Sequence, residues 1–253
     1  MKNTANDLSR ERLIFALDVG GGLNEALSWV HRLWSHVGLF KVGKESFVRY
    51  GAEIVREIHA RGGKVFLDLK FHDIPNTVAR AAEGACDLDV AMFNVHALGG
   101  KRMMAETVDA VRRSAAQRGK PAPIVLAVTV LTSLQDADLD TLGFRSKTGE
   151  TVLGLARLAQ DSGVSGVVAS AEEATAIRKA CGREFLIVTP GIRGIKELGG
   201  DDQKRILSPR EAVICGADYL VVGRPIRLAE DPAREADEIV KEMSSGFALR
   251  NSG

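Results

Sequence analysis

An aspartate and a lysine two residues apart, at the end of an apolar run, are the chain's most chemically suggestive feature. The run is Val65-Phe66-Leu67-Asp68-Leu69-Lys70-Phe71, and His72-Asp73-Ile74-Pro75-Asn76-Thr77 follows it. Side chains alternate across a strand, so Val65, Leu67, Leu69 and Phe71 fall on one face and Phe66, Asp68 and Lys70 on the other. Unpaired charge buried in a strand is costly. Asp68 and Lys70 therefore need each other, further charges such as Asp73, or a charged ligand. A structural ion pair capping the strand answers that need as well as a functional group does. The surrounding elements decide between the two.

Those elements repeat one pattern, an apolar run followed by a helical stretch. Leu13–Leu17 ends at Asp18 and, after the turn Gly20-Gly21-Gly22, leads into a helical pattern over Leu23–His36; Gly38–Gly43 precedes Phe47–Ala60. Lys64–Phe71 leads to a helix from about Pro75 to Cys86, where proline suits a first turn. Val90–Val95 precedes about Lys101–Arg118, and Ile124–Leu131 precedes a helix that starts near Thr148. Gly166–Ala169 precedes Ala171–Cys181, Phe185–Val188 precedes Pro209–Cys215, and Tyr219–Val222 precedes a helix from about Pro232 to Met243. The runs show little clean alternation, as expected of parallel strands buried on both faces. Eight such units in 253 residues predict an α/β fold, a (β/α)8 TIM barrel. It is expected as a single catalytic domain over residues 11–253, after a polar tail at residues 1–10. A doubly wound open sheet is the alternative.

In a barrel of this kind chemistry sits at the C-terminal ends of the strands. There the runs carry Asp18, Lys41, Asp68 with Lys70, Asn94 with His96, Thr129–Ser133, Thr189-Pro190-Gly191-Ile192-Arg193, and Gly223-Arg224. Acids and lysines gathered at neighbouring strand ends suggest a paired network of Lys41, Asp68, Lys70 and Asp73. The last two ends match the place where this fold commonly binds phosphate. Arg193 and Arg224 can clasp an anion bidentately, and Gly223 lets the backbone approach closely. The glycine-containing loop from Gly194 to Arg205 is long enough to close over such a site. Two solvated arginines and an ordinary loop are the competing reading.

Composition narrows the partners. Lys plus Arg number 34 against 33 Asp plus Glu, so a net charge of +1 predicts neither nucleic acid nor an anionic membrane as partner. Cys86, Cys181 and Cys215 form no CxxC pair, which predicts buried free thiols rather than a zinc or redox site. The opening residues lack an apolar signal core, and no run approaches the length of a membrane span. A cytoplasmic protein is expected. His31, His36 and His59 fall on helices, His72 and His96 near strand ends in structural hydrogen-bonding roles, and no metal site is expected. Trp29 and Trp34 are expected to pack the first helix, and Gly20–Gly22 lacks the spacing of a dinucleotide fingerprint.

With these residues assembled, the chain resembles the orotidine 5'-phosphate decarboxylase family over nearly its whole length. The matching pieces, in order, are FALDV, FKVG around Lys41, DLKFHDIPNTV, NVHALGG, VTVLTS, TPGIR and YLVVGRPI. The resemblance implies decarboxylation of orotidine 5'-phosphate to uridine 5'-phosphate in UMP biosynthesis, with no metal or organic cofactor. It implies that Lys70 donates the proton to the pyrimidine carbon that loses carbon dioxide, and that Asp68 sits beside the departing carboxylate. Lys41 and Asp73 would complete the charge array, and Asp18 and Lys41 would contact ribose hydroxyls. Thr132 would help recognise the pyrimidine; Arg193, Gly223 and Arg224 would hold the phosphate, Gln203 would reach across to it, and Pro190 would be a further substrate-binding residue. The family is dimeric, which implies a homodimer in which Asp73, Ile74 and Thr77 enter the neighbouring subunit's site.

Two other readings share parts of this pattern. Magnesium-dependent sugar-phosphate decarboxylases and synthases of the same barrel group resemble the chain at strand three but carry a glutamate where this chain has Lys41, a cation that would repel the metal. A non-catalytic nucleotide-phosphate binder would need Arg193 and Arg224 but not the full charge array.

Overall fold

The computed structural model describes residues 5–192 and 207–252. The apolar runs become strands β1 (Leu13–Ala16), β2 (Leu39–Gly43), β3 (Val65–Phe71), β4 (Met92–His96), β5 (Ile124–Val128), β6 (Gly166–Val168), β7 (Leu186–Pro190) and β8 (Tyr219–Val222). They follow in chain order around a closed barrel. β1 shows why the sheet is not open. Its Ile14 lies beside Leu39 of β2 and also beside Val221 of β8, both in parallel register. The expected barrel is the observed fold, and the doubly wound sheet is excluded.

The helices among the described residues are α1 (Ala5–Glu11), α2 (Leu23–Leu33), α3 (Lys44–Ala60), α4 (Pro75–Asp87), α5 (Gly100–Arg118), α6 (Asp136–Thr141), α7 (Thr148–Asp161), α8 (Ala171–Cys181), α9 (Pro209–Ile214), α10 (Arg224–Arg227) and α11 (Pro232–Ser252). The described residues fall into two compact units, one within Met1–Asp68 and Thr189–Gly253, the other Leu69–Val188. In the first, Phe15 of β1 stacks on Trp29 of α2 with ring centres 5.6 Å apart and meets Phe40 of β2 edge-on at 6.4 Å. In the second, α4 packs on α5, whose Met103, Met104, Thr107, Val108, Ala110 and Val111 are buried at helical spacing, and Phe71 meets Phe93 at 5.9 Å.

Several boundaries differ from expectation for identifiable reasons. The segment read as a polar tail is helical from Ala5, and it packs on α11 with Ser9 buried. So short a helix is stabilised by that packing rather than by an apolar stripe of its own. α11 runs past Met243 to Ser252 because Gly246 marks a close approach, not a helix end: a Cβ there would stand 2.8 Å from the Arg210 carbonyl oxygen at the start of α9. α3 begins directly after β2 and is broken at Gly51, whose φ of 57° suits glycine. β5 stops at Val128, and Leu131 beyond it is exposed. The stretch Thr132–Lys147 contributes α6. Trp29 packs as expected, but Trp34 is 55% exposed, because it follows the buried stripe of Ala26, Leu27, Val30 and Leu33 and caps the end of α2. Cys86 and Cys181 are buried free thiols, both pushed up by burial, whereas Cys215 is only half-buried.

Candidate active site

Strand geometry delivers the first cluster. In parallel pairing Lys41 stands beside Ala16 of β1 and Phe66 of β3, and Gly43 beside Asp68. The Lys41 ammonium donates to Asp18 Oδ2 at 2.6 Å and lies 3.4 Å from Asp68 Oδ2. The side chains of Lys41 and Asp68 are each 12% exposed and that of Asp18 is 35% exposed. One cation therefore serves two carboxylates where solvent screening is reduced, and the pairing compensates the burial of all three charges.

The segment that carries Asp18 is fixed from several sides. The Leu17 N–H donates to the Lys41 carbonyl at 3.0 Å, and the Leu17 carbonyl accepts from the buried Ser46 hydroxyl, also at 3.0 Å. Arg227 of α10 donates to the Asp18 carbonyl at 3.1 Å. Gly43 completes the enclosure: a Cβ there would stand 2.6 Å from Asp18 Oδ1 and 3.0 Å from Lys41 Nζ. No side chain fits at Gly43 while the ion pair keeps its place.

A cavity of about 460 Å³ opens beside this cluster, lined by Asp18 and Lys41, by Pro190 at the end of β7 with Gly191 and Ile192 beyond it, and by Gly223, Arg224 and Arg227 after β8. Gly223 is close to Ala16, since a Cβ would meet that residue's Cβ at 3.3 Å. Carboxylate, ammonium and guanidinium groups around one cavity suit a ligand that carries both hydroxyls and an anion. Arg193 and Gln203 lie outside the described residues.

The remaining predicted residues belong to the second unit. Lys70, next to last in β3, has a left-handed backbone with φ 52°, and its N–H donates to Asn94 Oδ1 at 2.8 Å. Asp73 Oδ1 accepts from the Ile74 N–H at 2.6 Å, which places the carboxylate at the entry to α4. Ile74 is 67% exposed, and Thr77 on the first turn is exposed as well. Thr132 is exposed in the segment between β5 and α6. His72 and His96 stack with ring centres 5.2 Å apart, and His96 Nδ1 accepts from the Leu98 N–H at 3.3 Å, a structural role of the expected kind.

Sequence reasoning missed Gly43, Ser46 and Arg227, and it noted Asn94 without a role. Gly43 and Ser46 sit in the FKVGKES stretch already marked by Lys41, and Arg227 follows the GRPI stretch, so proximity to known motifs was the available signal. Nothing in the sequence indicates that Ser46 turns back to the Leu17 carbonyl.

Comparison with known proteins gives the family. A model of the family described as "Orotidine 5'-phosphate decarboxylase / HUMPS family" matches residues 11–239. The orotidine 5'-phosphate decarboxylase of Syntrophus aciditrophicus (strain SB) is 62% identical over 249 residues, 98% of this chain and 99% of that protein. The protein of the same name from Syntrophotalea carbinolica is 53% identical over 94% of this chain and 97% of its own length. The crystal structure of orotidine 5'-phosphate decarboxylase from Lactobacillus acidophilus superposes with a TM-score of 0.79 at 38% identity, covering 91% of this chain and 98% of that one. The chain belongs to the orotidine 5'-phosphate decarboxylase / HUMPS family.

Proposed function

We propose that this chain decarboxylates orotidine 5'-phosphate to uridine 5'-phosphate and carbon dioxide, in UMP biosynthesis in the cytoplasm, without metal or organic cofactor. The observation that carries this reading is the Lys41 ammonium placed between Asp18 and Asp68, with Lys41 and Asp18 lining the cavity. A fixed cation there occupies the position at which the magnesium-using sugar-phosphate enzymes of the barrel group have a glutamate, and it opposes a divalent metal. The full-length relatives at 62% and 53% identity carry the decarboxylase name and support the same substrate.

In the proposed reaction the bond between the pyrimidine ring and its carboxylate breaks, its electron pair stays on the ring carbon, and carbon dioxide leaves. Lys70 then gives its proton to that carbon. Orotate has no adjacent keto group to take up the electrons, so fixed charge must meet them. One ammonium at ~4 Å supplies ~4 kcal/mol at an effective dielectric near 20, and ~1.4 kcal/mol is tenfold in rate. A single lysine is therefore insufficient, and the array of Lys41, Asp68, Lys70 and Asp73 shares the task with the binding energy of the phosphate. Asp18 and Lys41 hold the ribose, Thr132 the pyrimidine, and Gly223, Arg224, Arg193 and Gln203 the phosphate, with Pro190 as a further substrate-binding residue. Asp73, Ile74 and Thr77 complete the site of a second copy in a homodimer; the exposure of Ile74 and Thr77 at the start of α4 supports that role. Residues 11–253 form the catalytic domain.

Mixing the purified protein with orotidine 5'-phosphate in excess chelator and following ultraviolet absorbance tests the reading. The spectrum moves to that of uridine 5'-phosphate. Activity only with magnesium and a keto-gulonate phosphate would place the chain among the metal-dependent relatives, and binding without turnover in both assays would make it a nucleotide-phosphate binder.

A further inference from the structure

Among the described residues only Lys70 and Asp89 combine a side chain with a left-handed backbone, at φ 52° and φ 54°. The two differ in kind. Aspartate visits this conformation with some ease, and Asp89 lies in the turn after α4, where its carboxylate bonds Arg118 and Lys120. Lysine has no such local excuse: its Cβ crowds the backbone, and within a strand the extended conformation is the relaxed one. Something outside the residue must hold Lys70 where it is.

Asn94 is placed to do so. It is the third residue of β4, fully buried between the buried Phe93 and Val95, where a primary amide is costly unless engaged. Its oxygen accepts the Lys70 N–H at 2.8 Å. A backbone N–H can only donate, so the orientation of the amide at this contact is not ambiguous. The N–H lies in the Leu69–Lys70 peptide plane, and rotation about the N–Cα bond swings the Cβ relative to that plane. The bond to Asn94 therefore anchors the plane from which the left-handed φ of 52° directs the lysine side chain out of β3. Backbone strain held by its surroundings is characteristic of groups whose aim matters.

We propose that Asn94 is a positioning residue, which holds Lys70 in its left-handed conformation and so aims the ammonium. The inference rests on the reading of Lys70 as proton donor. Asn94→Leu keeps the volume and removes the acceptor, whereas Asn94→Asp keeps an oxygen at the same place. Turnover is measured per site able to bind uridine 5'-phosphate, so that misfolded protein does not count. Asn94→Leu lowers kcat per site by ~100-fold, the scale of a misplaced reacting group, while affinity for uridine 5'-phosphate stays within ~3-fold. Asn94→Asp recovers at least ~10-fold of that loss. If the leucine variant does not fold, Asn94→Ala carries the same expectation.

A purely structural role would reduce the number of binding sites or the melting temperature and leave kcat per site unchanged, and that result would overturn the proposal. Equal losses in the leucine and aspartate variants would overturn it too. Lys70→Ala is measured alongside. If it turns over normally, the proton-donor reading itself falls; if it is inactive while Asn94→Leu is normal per site, only the positioning role falls.

Discussion

The Lys41 ammonium sits 2.6 Å from the Asp18 carboxylate, and Asp68 approaches the same nitrogen to 3.4 Å. Two acids, one from β3 and one just beyond β1, thus meet one base from β2. Lys41→Met removes the charge while keeping most of the stem, so what it changes is electrostatic. Breaking a buried pair by removing one partner is far more costly than losing an exposed one. With Asp18 partly solvated, a loss of about 1–3 kcal/mol is expected. In a chain of this size that lowers the unfolding midpoint by roughly 2–10 °C. Turnover is expected to fall at least ~100-fold, because in the proposed reading Lys41 anchors both the substrate hydroxyls and the charge array. Calorimetry and the absorbance assay measure the two effects.

Gly43 makes a sharper test, since it touches no substrate group in the proposed reading. A methyl group there would meet Asp18 Oδ1 at 2.6 Å and Lys41 Nζ at 3.0 Å. Both atoms are side-chain ends that can move aside, so the fold accommodates the change more easily than the ion pair does. Gly43→Ala is expected to cut kcat/KM by ~10- to 100-fold while shifting the midpoint by only a few degrees. A variant with normal kcat/KM would mean that the measured Lys41–Asp18 geometry does not govern activity.

How much of this was visible in the chain depends on the distance over which each feature is determined. The strands were legible because each is an apolar run closed by a turn, and the strand-end rule of the barrel then picked out Asp18, Lys41, Asp68 and Arg224. Features set by another element were not. Gly246 looks like a helix end until α9 is seen pressed against it, and Ala5–Glu11 looks like a tail until α11 is seen to cover Ser9. The left-handed turn at Lys70 has no local signature, because the residue that holds it is 24 positions away. The alternation that first drew attention to Asp68 and Lys70 assumes a regular strand, and the structure departs from regularity at the residue of greatest interest.

Glu242 on α11 predicts a pH dependence of stability. Burial pushes its carboxyl above the ordinary glutamate range; Glu211 and Glu235 add to the shift, and Arg210 opposes it. Among the described residues Oε2 has no hydrogen-bond partner. The folded state therefore holds this proton more tightly than the unfolded chain does. Below the unfolded pKa both states are protonated and no penalty applies. As pH rises, the unfolded chain ionises first, stability falls across the window up to the raised folded value, and the full penalty stands above it. Glu242→Gln should raise the melting midpoint by roughly 1–3 °C at neutral pH. The gain should shrink toward zero as pH falls to about 4, near the ordinary glutamate value. A gain that is constant with pH would assign the effect to packing instead.

Arg224 and Arg227 line the same cavity but are expected to separate in function. Arg227 is engaged with the Asp18 carbonyl at 3.1 Å, whereas Arg224 is exposed and follows Gly223 at the end of β8. A guanidinium held by main chain fixes a loop; an exposed one can meet an anion with two parallel bonds. Arg224→Ala should therefore weaken uridine 5'-phosphate by ~10- to 100-fold, the worth of a charge-assisted contact, and leave the affinity for uridine unchanged. Arg227→Ala should weaken both ligands by a similar factor, because the Asp18 segment, which meets the ribose in the proposed reading, is loosened. Titration calorimetry of each variant with nucleotide and nucleoside separates the two patterns. If Arg224→Ala lost nucleoside and nucleotide equally, the phosphate would have to be held elsewhere, and the orientation proposed for the ligand in the cavity would have to be reversed.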